Sequence, residues 1–158
     1  MILANLIYIS DPSAYTNDNA IPNTINYITR HNDENIFYYG NWPPTPDSAI
    51  ELFEHLRSHL SFPKRYECRQ KLQHFWITFD SSINTFANDI ALIFAPLFPI
   101  CLATHDKIYH PHTHFVVSTT SILPSQKPLI GKVWGNYLAQ VCELALTRYD
   151  IHLTVKPK

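Results

Sequence analysis

Glycine is scarce in this chain, with three glycines among 158 residues. Phosphate-binding loops of the GxGxxG and P-loop types need several closely spaced glycines, because the backbone must approach the phosphate closely. The sequence therefore excludes both motifs. Cysteine is equally scarce, and Cys68, Cys101 and Cys142 are odd in number and far apart. This spacing excludes a disulfide framework and a paired-cysteine metal site, and it favours a reducing, cytoplasmic location.

Charged residues and long apolar runs are also in short supply. Charged residues make up 16% of the chain and the net charge is −1, which argues against a protein that coats nucleic acid through a broad cationic surface. No apolar run approaches the about 20 residues of a membrane helix. The first nine residues lack the cationic flank of a signal peptide, so we expect no membrane partner. Hydrophobic residues, at 46%, suffice for the core of a single domain over residues 1–158.

The few charges are unevenly distributed. Residues 1–63 carry Arg30 and Arg57 against seven acidic residues, whereas residues 119–158 carry five Lys and Arg residues against two acidic ones. A basic run lies between these regions and consists of Lys64, Arg65, Arg69 and Lys71. If a phosphate backbone binds, the second half of the chain is predicted to hold it.

Hydrophobic periodicity predicts strands interleaved with helices. The expected strands cover residues 3–9, 73–79, 100–104, 112–119 and 151–155, the last as an edge strand, and the expected helices cover 22–30, 48–60, 84–97 and 132–148. Residues 31–47 contain Gly40 and three prolines among aromatic residues and are predicted to be an irregular loop. This order predicts an α+β fold with a mainly antiparallel central sheet flanked by helices.

The most specific local pattern is a cluster of four histidines, His105, His110, His112 and His114, directly before the apolar run 115–117. Residues two apart on a strand point to the same face, so His112 and His114 project side by side, and His105 reaches them from the neighbouring strand. Three imidazoles at one point predict a divalent-metal site with open coordination positions. The alternative is a set of surface histidines on a loop. Pro111 is expected to turn His110 away from this point.

The other histidines carry weaker signals. His55 and His59 lie four residues apart, but the glutamate of the HExxH motif is missing, so a solvated helix face is expected. His74 lies on a strand beside Phe75 and Trp76. Its position is consistent either with a core histidine or with a group that supports the metal site.

Two tyrosines are candidates for a nucleophile. Tyr137 falls on the apolar face of the last helix and is expected in the core. Tyr27 points away from the apolar stripe of its short helix, with Arg30 about one turn later. This pattern predicts an exposed phenol close to a cation, and the alternative is an ordinary surface tyrosine.

These residues occur in the order of a known family. The segment Ile25–Thr29 (INYIT), the strand His74–Phe79 (HFWITF) and the spacing of His105, His112 and His114 resemble three motifs of the conjugative relaxases, or mobilisation endonucleases, of the HUH superfamily, especially the type that includes the border-nicking endonuclease of T-DNA transfer. The chain departs from the family pattern at two positions. Lys107 stands where the family usually has Asp, with Asp106 one place earlier, and Ser118 stands where it has Asn.

The resemblance implies a metal-dependent, site- and strand-specific single-stranded DNA nickase that acts in plasmid or mobile-element transfer and forms a 5′-phosphotyrosyl intermediate. It implies Tyr27 as the nucleophile and His105, His112 and His114 as ligands of a divalent ion, Mg²⁺ or Mn²⁺ ahead of Zn²⁺. Positions of undecided or supporting role are Asp106, His110, His74 and Ser118. Expected partners are single-stranded or hairpin DNA at an origin of transfer and accessory mobilisation proteins. Candidate DNA-backbone contacts are Arg30, Lys64, Arg65, Arg69, Lys127 and Lys132, and candidates for base stacking, or for capping the core instead, are Tyr38, Tyr39 and Trp42.

Two other functions compete with this one. The segment 110–117 superficially matches the motif of histidine-triad nucleotide hydrolases, with His112 as nucleophile. However, Pro111 and Thr113 stand where that motif has apolar residues. A relaxase-like fold retained as a DNA-binding accessory protein is the third hypothesis, motivated by Lys107, Ser118 and the near-neutral net charge.

Overall fold

A computed structural model describes residues 1–30, 35–39, 45–59, 69–79, 84–105 and 111–158, with residues 35–39 and 84 described by their backbone alone. The strands of this described part are β1 (Ile2–Tyr8), β2 (Asn35–Tyr39), β3 (Leu72–Thr78), β4 (Ile100–His105), β5 (His112–Ser118) and β6 (Ile151–Pro157). Its helices are α1 (Ala20–Thr29), α2 (Pro46–Ser58), α3 (Asn84–Phe94) and α4 (Gly131–Tyr149).

The strands form one six-stranded sheet in the order β2-β4-β5-β3-β1-β6. Every neighbouring pair is antiparallel except β1 and β6, which pair in parallel, with Ile2 opposite Ile151 and Tyr8 opposite Pro157. The predicted α+β class with a mainly antiparallel sheet flanked by helices is thus confirmed. The predicted edge position of the last strand is also confirmed.

The two faces of the sheet have different roles. One face, here called the core face, packs against α3 and α4 around the stacked rings of Phe75 and Phe115, whose centroids lie 4.7 Å apart. The opposite face, here called the site face, packs against α1 and α2 over β4, β5 and the start of β3 through Leu72, Ala103 and Val116. Side chains alternate between these faces along each strand, so the sheet separates the main core from the face that carries the histidines.

The predicted loop over residues 31–47 was wrong in two places. Residues 35–39 form β2, which pairs with β4 from Asn35 opposite Thr104 to Tyr39 opposite Ile100, and α2 begins at Pro46. The prediction weighted the turn-forming Gly and Pro residues around this segment. The β-forming run 36–39 instead finds a long-range partner at the edge of the sheet, where pairing overrides the local signal. Proline is well tolerated in the first turn of α2, whose N-terminus is capped by the hydroxyl of Thr45.

Candidate metal centre

Three histidines converge on the site face, where β4 ends and β5 begins. The antiparallel register places His105 opposite His112, and His114 lies on the same face two residues further along β5. The ring centroids are 5.1 Å apart for His105 and His112, 4.7 Å for His105 and His114, and 4.9 Å for His112 and His114. One ligand nitrogen from each ring lies within 4.8 Å of the others. The predicted convergence is confirmed, and the three side chains are close enough to bind one metal ion.

Helix α1 supports the first of these histidines. Nε2 of His105 donates to the backbone carbonyl of Ile28 over 3.1 Å. This carbonyl lies in the last turn of α1, where carbonyl groups lack partners within the helix. Because a neutral imidazole has one N–H group, donation through Nε2 makes Nδ1 the nitrogen of His105 that carries a lone pair. The helix that carries Tyr27 therefore also orients one of the three histidines.

A second hydrogen-bond chain supports His114. Nε2 of His74 lies 2.9 Å from Nδ1 of His114, and Nδ1 of His74 lies 2.9 Å from the hydroxyl of Tyr15. Because Nδ1 of His114 is engaged, Nε2 is the nitrogen left to act as a ligand, and the single proton of the ring then lies on Nδ1 and is donated to His74. His74 in turn donates from Nδ1 to Tyr15. His74 is thus buried and hydrogen-bonded directly to His114, which is the position expected of a group that supports the candidate metal site.

Tyr15 was missed by sequence reasoning. It lies in the polar turn before α1 with a left-handed backbone, φ 61°, a conformation that is uncommon outside glycine and is often found at functional sites. Its carbonyl accepts a hydrogen bond from the backbone N–H of Lys71, which ties the turn to the start of β3. Burial raises the pKa of the Tyr15 phenol to about 12. The side chain is therefore a neutral hydrogen-bond partner at physiological pH.

Tyr27 is exposed and close to a cation, as predicted, and it lies beside the histidines. The side chains of Ile21, Ile25 and Ile28 are fully buried under α1, whereas Tyr27 is 46% exposed. Its ring meets His114 edge-on with a centroid separation of 6.0 Å, and the guanidinium of Arg30 lies 4.8 Å from its centroid. The phenol lines an open cavity of about 360 Å³, and the other lining residues are Ile9, Tyr15, His74, Trp76, Thr78, His112, His114 and Lys158.

Burial keeps His74 and His114 neutral. Loss of hydration lowers the pKa of His74 to about 4 and the pKa of His114 to about 2, with smaller contributions from neighbouring positive charge. Metal ligation by imidazole requires the neutral form. The fold therefore holds these rings in the protonation state that a metal ion needs.

This burial predicts an acid-sensitive metal-free protein. Histidine titrates near 6.5 in the unfolded chain and lower in the native site, so between these values the unfolded state binds more protons. The stability present above about pH 6.5 should fall with decreasing pH, by up to about 1.4 kcal/mol per pH unit for each such histidine. Urea unfolding in EDTA at pH 7.5, 6.0 and 5.0, followed by tryptophan fluorescence, measures the decline. His74→Gln should flatten it, and identical slopes for the parent and this variant would contradict the explanation.

The remaining predicted site residues are distributed more widely. Arg30 reaches the site. Ser118 does not, because it lies four residues beyond His114 on β5 and its hydroxyl donates to the carbonyl of Thr120. Lys132 lies in the first turn of α4, which packs on the core face, and Lys127 is exposed on the segment before it. Arg69 lines a separate cavity with the start of α4. Residues outside the described ranges, or described there by backbone alone, are Asp106, Lys107, His110, Lys64, Arg65, Tyr38, Tyr39 and Trp42.

Two other predictions outside the site are confirmed. His55 on α2 and His59 at the C-cap of this helix are exposed, with ring centroids 4.3 Å apart, as expected of a solvated helix face. Tyr137 packs on the main core with its ring stacked on Phe94, as expected of a core tyrosine. Among the described residues, neither the pair His55 and His59 nor Tyr137 contacts the three histidines of the candidate site.

Comparisons of the chain with protein-family models, with curated proteins and with solved structures gave no match. Among the helices of the described residues, none combines the length and the apolar character required to cross a membrane. The function of the site is therefore inferred from its own residues.

Proposed function

We propose that the protein is a metal-dependent endonuclease that nicks single-stranded DNA at a specific site and strand, with Tyr27 as the nucleophile. The observation that carries the proposal is the position of an exposed phenol against His114, in the cavity lined by His112 and His114. A nucleophile beside a cation site suits transfer of a phosphoryl group, since positioning and charge neutralisation supply most of the catalysis. The resemblance to conjugative relaxases supports the same reaction and its role in plasmid or mobile-element transfer.

The donor set fits a catalytic divalent ion. His105, His112 and His114 would hold the ion through three nitrogens, which leaves positions for substrate oxygen atoms, whereas a structural zinc site has four protein ligands. Imidazole donors suit transition metals better than Mg²⁺, so we propose Mn²⁺ or Zn²⁺ ahead of Mg²⁺ for this site. When bound, the ion supplies positive charge next to the non-bridging oxygens of the scissile phosphate.

The residues of the chain perform the rest of the reaction. The hydroxyl oxygen of Tyr27 attacks the phosphorus atom and forms a phosphotyrosyl ester with the 5′-phosphate of the downstream DNA segment, while the bond to the 3′ oxygen of the upstream segment breaks. The phenol proton passes to solvent, and the released 3′ oxygen takes up a proton to become a hydroxyl group. The guanidinium of Arg30 lies 4.8 Å from the ring centroid of Tyr27 and so places positive charge beside the nucleophile. One phosphodiester replaces another, so the step is reversible and needs no ATP.

A denaturing gel tests the proposal. Single-stranded oligonucleotides that tile both strands of the DNA flanking the gene, each labelled at the 3′ end, are incubated with the protein and Mn²⁺. We expect one oligonucleotide or a small overlapping set to migrate with the protein after boiling in detergent, because the labelled 3′ segment stays on Tyr27. EDTA should abolish the shifted band. Binding of DNA without any such band would overturn the nickase and favour an accessory DNA-binding protein.

A further inference from the structure

The site face continues beyond the histidines, across β3, β1 and β6. On β4, β5 and the start of β3, residues of this face are buried under α1 and α2. Further along the sheet they are accessible: Trp76 and Ile7 are half-buried, Leu3 is 76% exposed, and Thr154 and Lys156 are exposed. No described helix packs on these strands from this side. This region is here called the open sheet face.

Two rows of side chains cross the open sheet face and begin at metal-site histidines. The strand register aligns His114 with Trp76, Ile7 and Lys156 in the first row. It aligns His112 with Thr78, Asn5 and Thr154 in the second row. Neighbouring strands lie about 4.8 Å apart, so each row extends about 14 Å from the histidine to the edge of the sheet. A ligand that occupies the open sheet face therefore reaches the candidate metal centre directly.

The charge of the open sheet face is positive. On β1, β3 and β6, none of the described residues whose side chains lie on this face is acidic. Lys156 on β6 and Lys158 directly after β6 are cationic. The ammonium group of Lys158 lies 5.2 Å from the ring centroid of Trp76, so a cation borders an indole that is itself partly accessible. A surface with an aromatic ring, flanking cations and neutral polar side chains is suited to binding an anionic polymer that carries planar rings.

We propose that the open sheet face binds the single strand next to the scissile phosphate, with a base stacked on Trp76 and backbone phosphates on Lys156 and Lys158. Sheet faces with exposed aromatic rings and a cationic margin bind single-stranded nucleic acid in this way, because unpaired bases expose their ring faces. Asn5, Thr78 and Thr154 supply donors and acceptors for base edges along the second row. This inference rests on the proposed function for its choice of single-stranded DNA, and it assigns the strand to residues that the nicking chemistry does not use.

Binding measured without cleavage tests this assignment separately from the nickase. A fluorescein-labelled 15-nucleotide oligo-dT is titrated with the protein in EDTA, and fluorescence anisotropy gives the dissociation constant. Loss of one stacked base corresponds to about a 5- to 150-fold weaker affinity, so Trp76→Leu should weaken binding at least about fivefold, and Trp76→Phe should recover most of the loss. Lys156→Ser combined with Lys158→Ser should reduce the slope of log affinity against log salt by about 1.4, since each phosphate contact contributes about 0.7.

Arg148→Gln is the matched control for loss of positive charge. Arg148 lies at the end of α4 and pairs with Asp89 of α3, on the opposite side of the sheet, so this variant should bind like the parent. Failure of the parent to bind oligo-dT, or parent-like affinity and salt slope in the Trp76→Leu and double-lysine variants, would overturn the assignment. These outcomes are distinct from failure of the nickase, in which oligo-dT binding persists but no covalent band forms with any oligonucleotide.

Discussion

Tyr27→Phe is expected to abolish the covalent protein–DNA band while leaving oligonucleotide affinity within about threefold of the parent. The substitution removes one oxygen and keeps the ring, so the edge contact with His114 and the contact with Arg30 remain available. Tyr27 is 46% exposed, so the loss of the hydroxyl group should change stability little. Removal of a nucleophile that forms a covalent intermediate costs orders of magnitude in rate, and we expect at least about a 1,000-fold loss.

Tyr15→Phe is the matched control for this experiment. Tyr15 also lines the cavity, but its hydroxyl is engaged with His74 and its pKa is raised to about 12 by burial. We expect this variant to form the covalent band at a rate within about tenfold of the parent, because it alters only the outermost partner of the His114 chain. A covalent band from Tyr27→Phe at the rate of the parent would contradict the assignment of the nucleophile.

The second large effect is expected in metal affinity. His114→Ala removes a ligand and should weaken Mn²⁺ binding at least about 100-fold, with a matching loss of nicking. His74→Ala should weaken it about 10- to 100-fold, which is the usual cost of removing a group that orients a metal ligand. His74→Gln should recover part of this loss, since the side-chain oxygen of glutamine accepts the hydrogen bond that Nδ1 of His114 donates.

Isothermal titration calorimetry with Mn²⁺ measures this series, and His59→Ala is its control. His59 is exposed at the C-cap of α2 beside His55, so its removal should leave the affinity of the site unchanged. Thermal unfolding in EDTA separates loss of a ligand from loss of folding. Parent-like Mn²⁺ affinity in a folded His114→Ala variant would contradict the metal site.

The convergence of the histidines was predictable because it depends on short-range geometry. The two-residue spacing of His112 and His114 places both rings on one face of any strand. The seven-residue interval back to His105 suits two adjacent antiparallel strands, which the register confirms. The exposure of Tyr27 followed from the apolar stripe of α1 in the same way. These inferences required a local period and no knowledge of the partner elements.

The supporting groups of the site were harder to predict. Alternation along β3 shows which face His74 occupies, but its partners come from β5 and from a turn distant in sequence. Tyr15 depends on a left-handed backbone, which a polar turn sequence does not specify for tyrosine. The positions of Trp76 and Lys156 in one row depend on the parallel pairing of β1 with β6, elements that are separated by most of the chain. Such long-range pairing leaves no periodic signal in either segment.

The most direct test of the account is the identity of the residue that carries the DNA. The covalent complex is digested with trypsin and nuclease, and the peptide that ends at Arg30 is sequenced by mass spectrometry. No Lys or Arg lies between Tyr8 and Arg30, so this peptide contains Tyr8, Tyr15 and Tyr27 together. We expect a nucleotide mass on Tyr27 alone, formed with Mn²⁺ and absent with EDTA. A nucleotide on Tyr15, on a histidine or on no residue would contradict it.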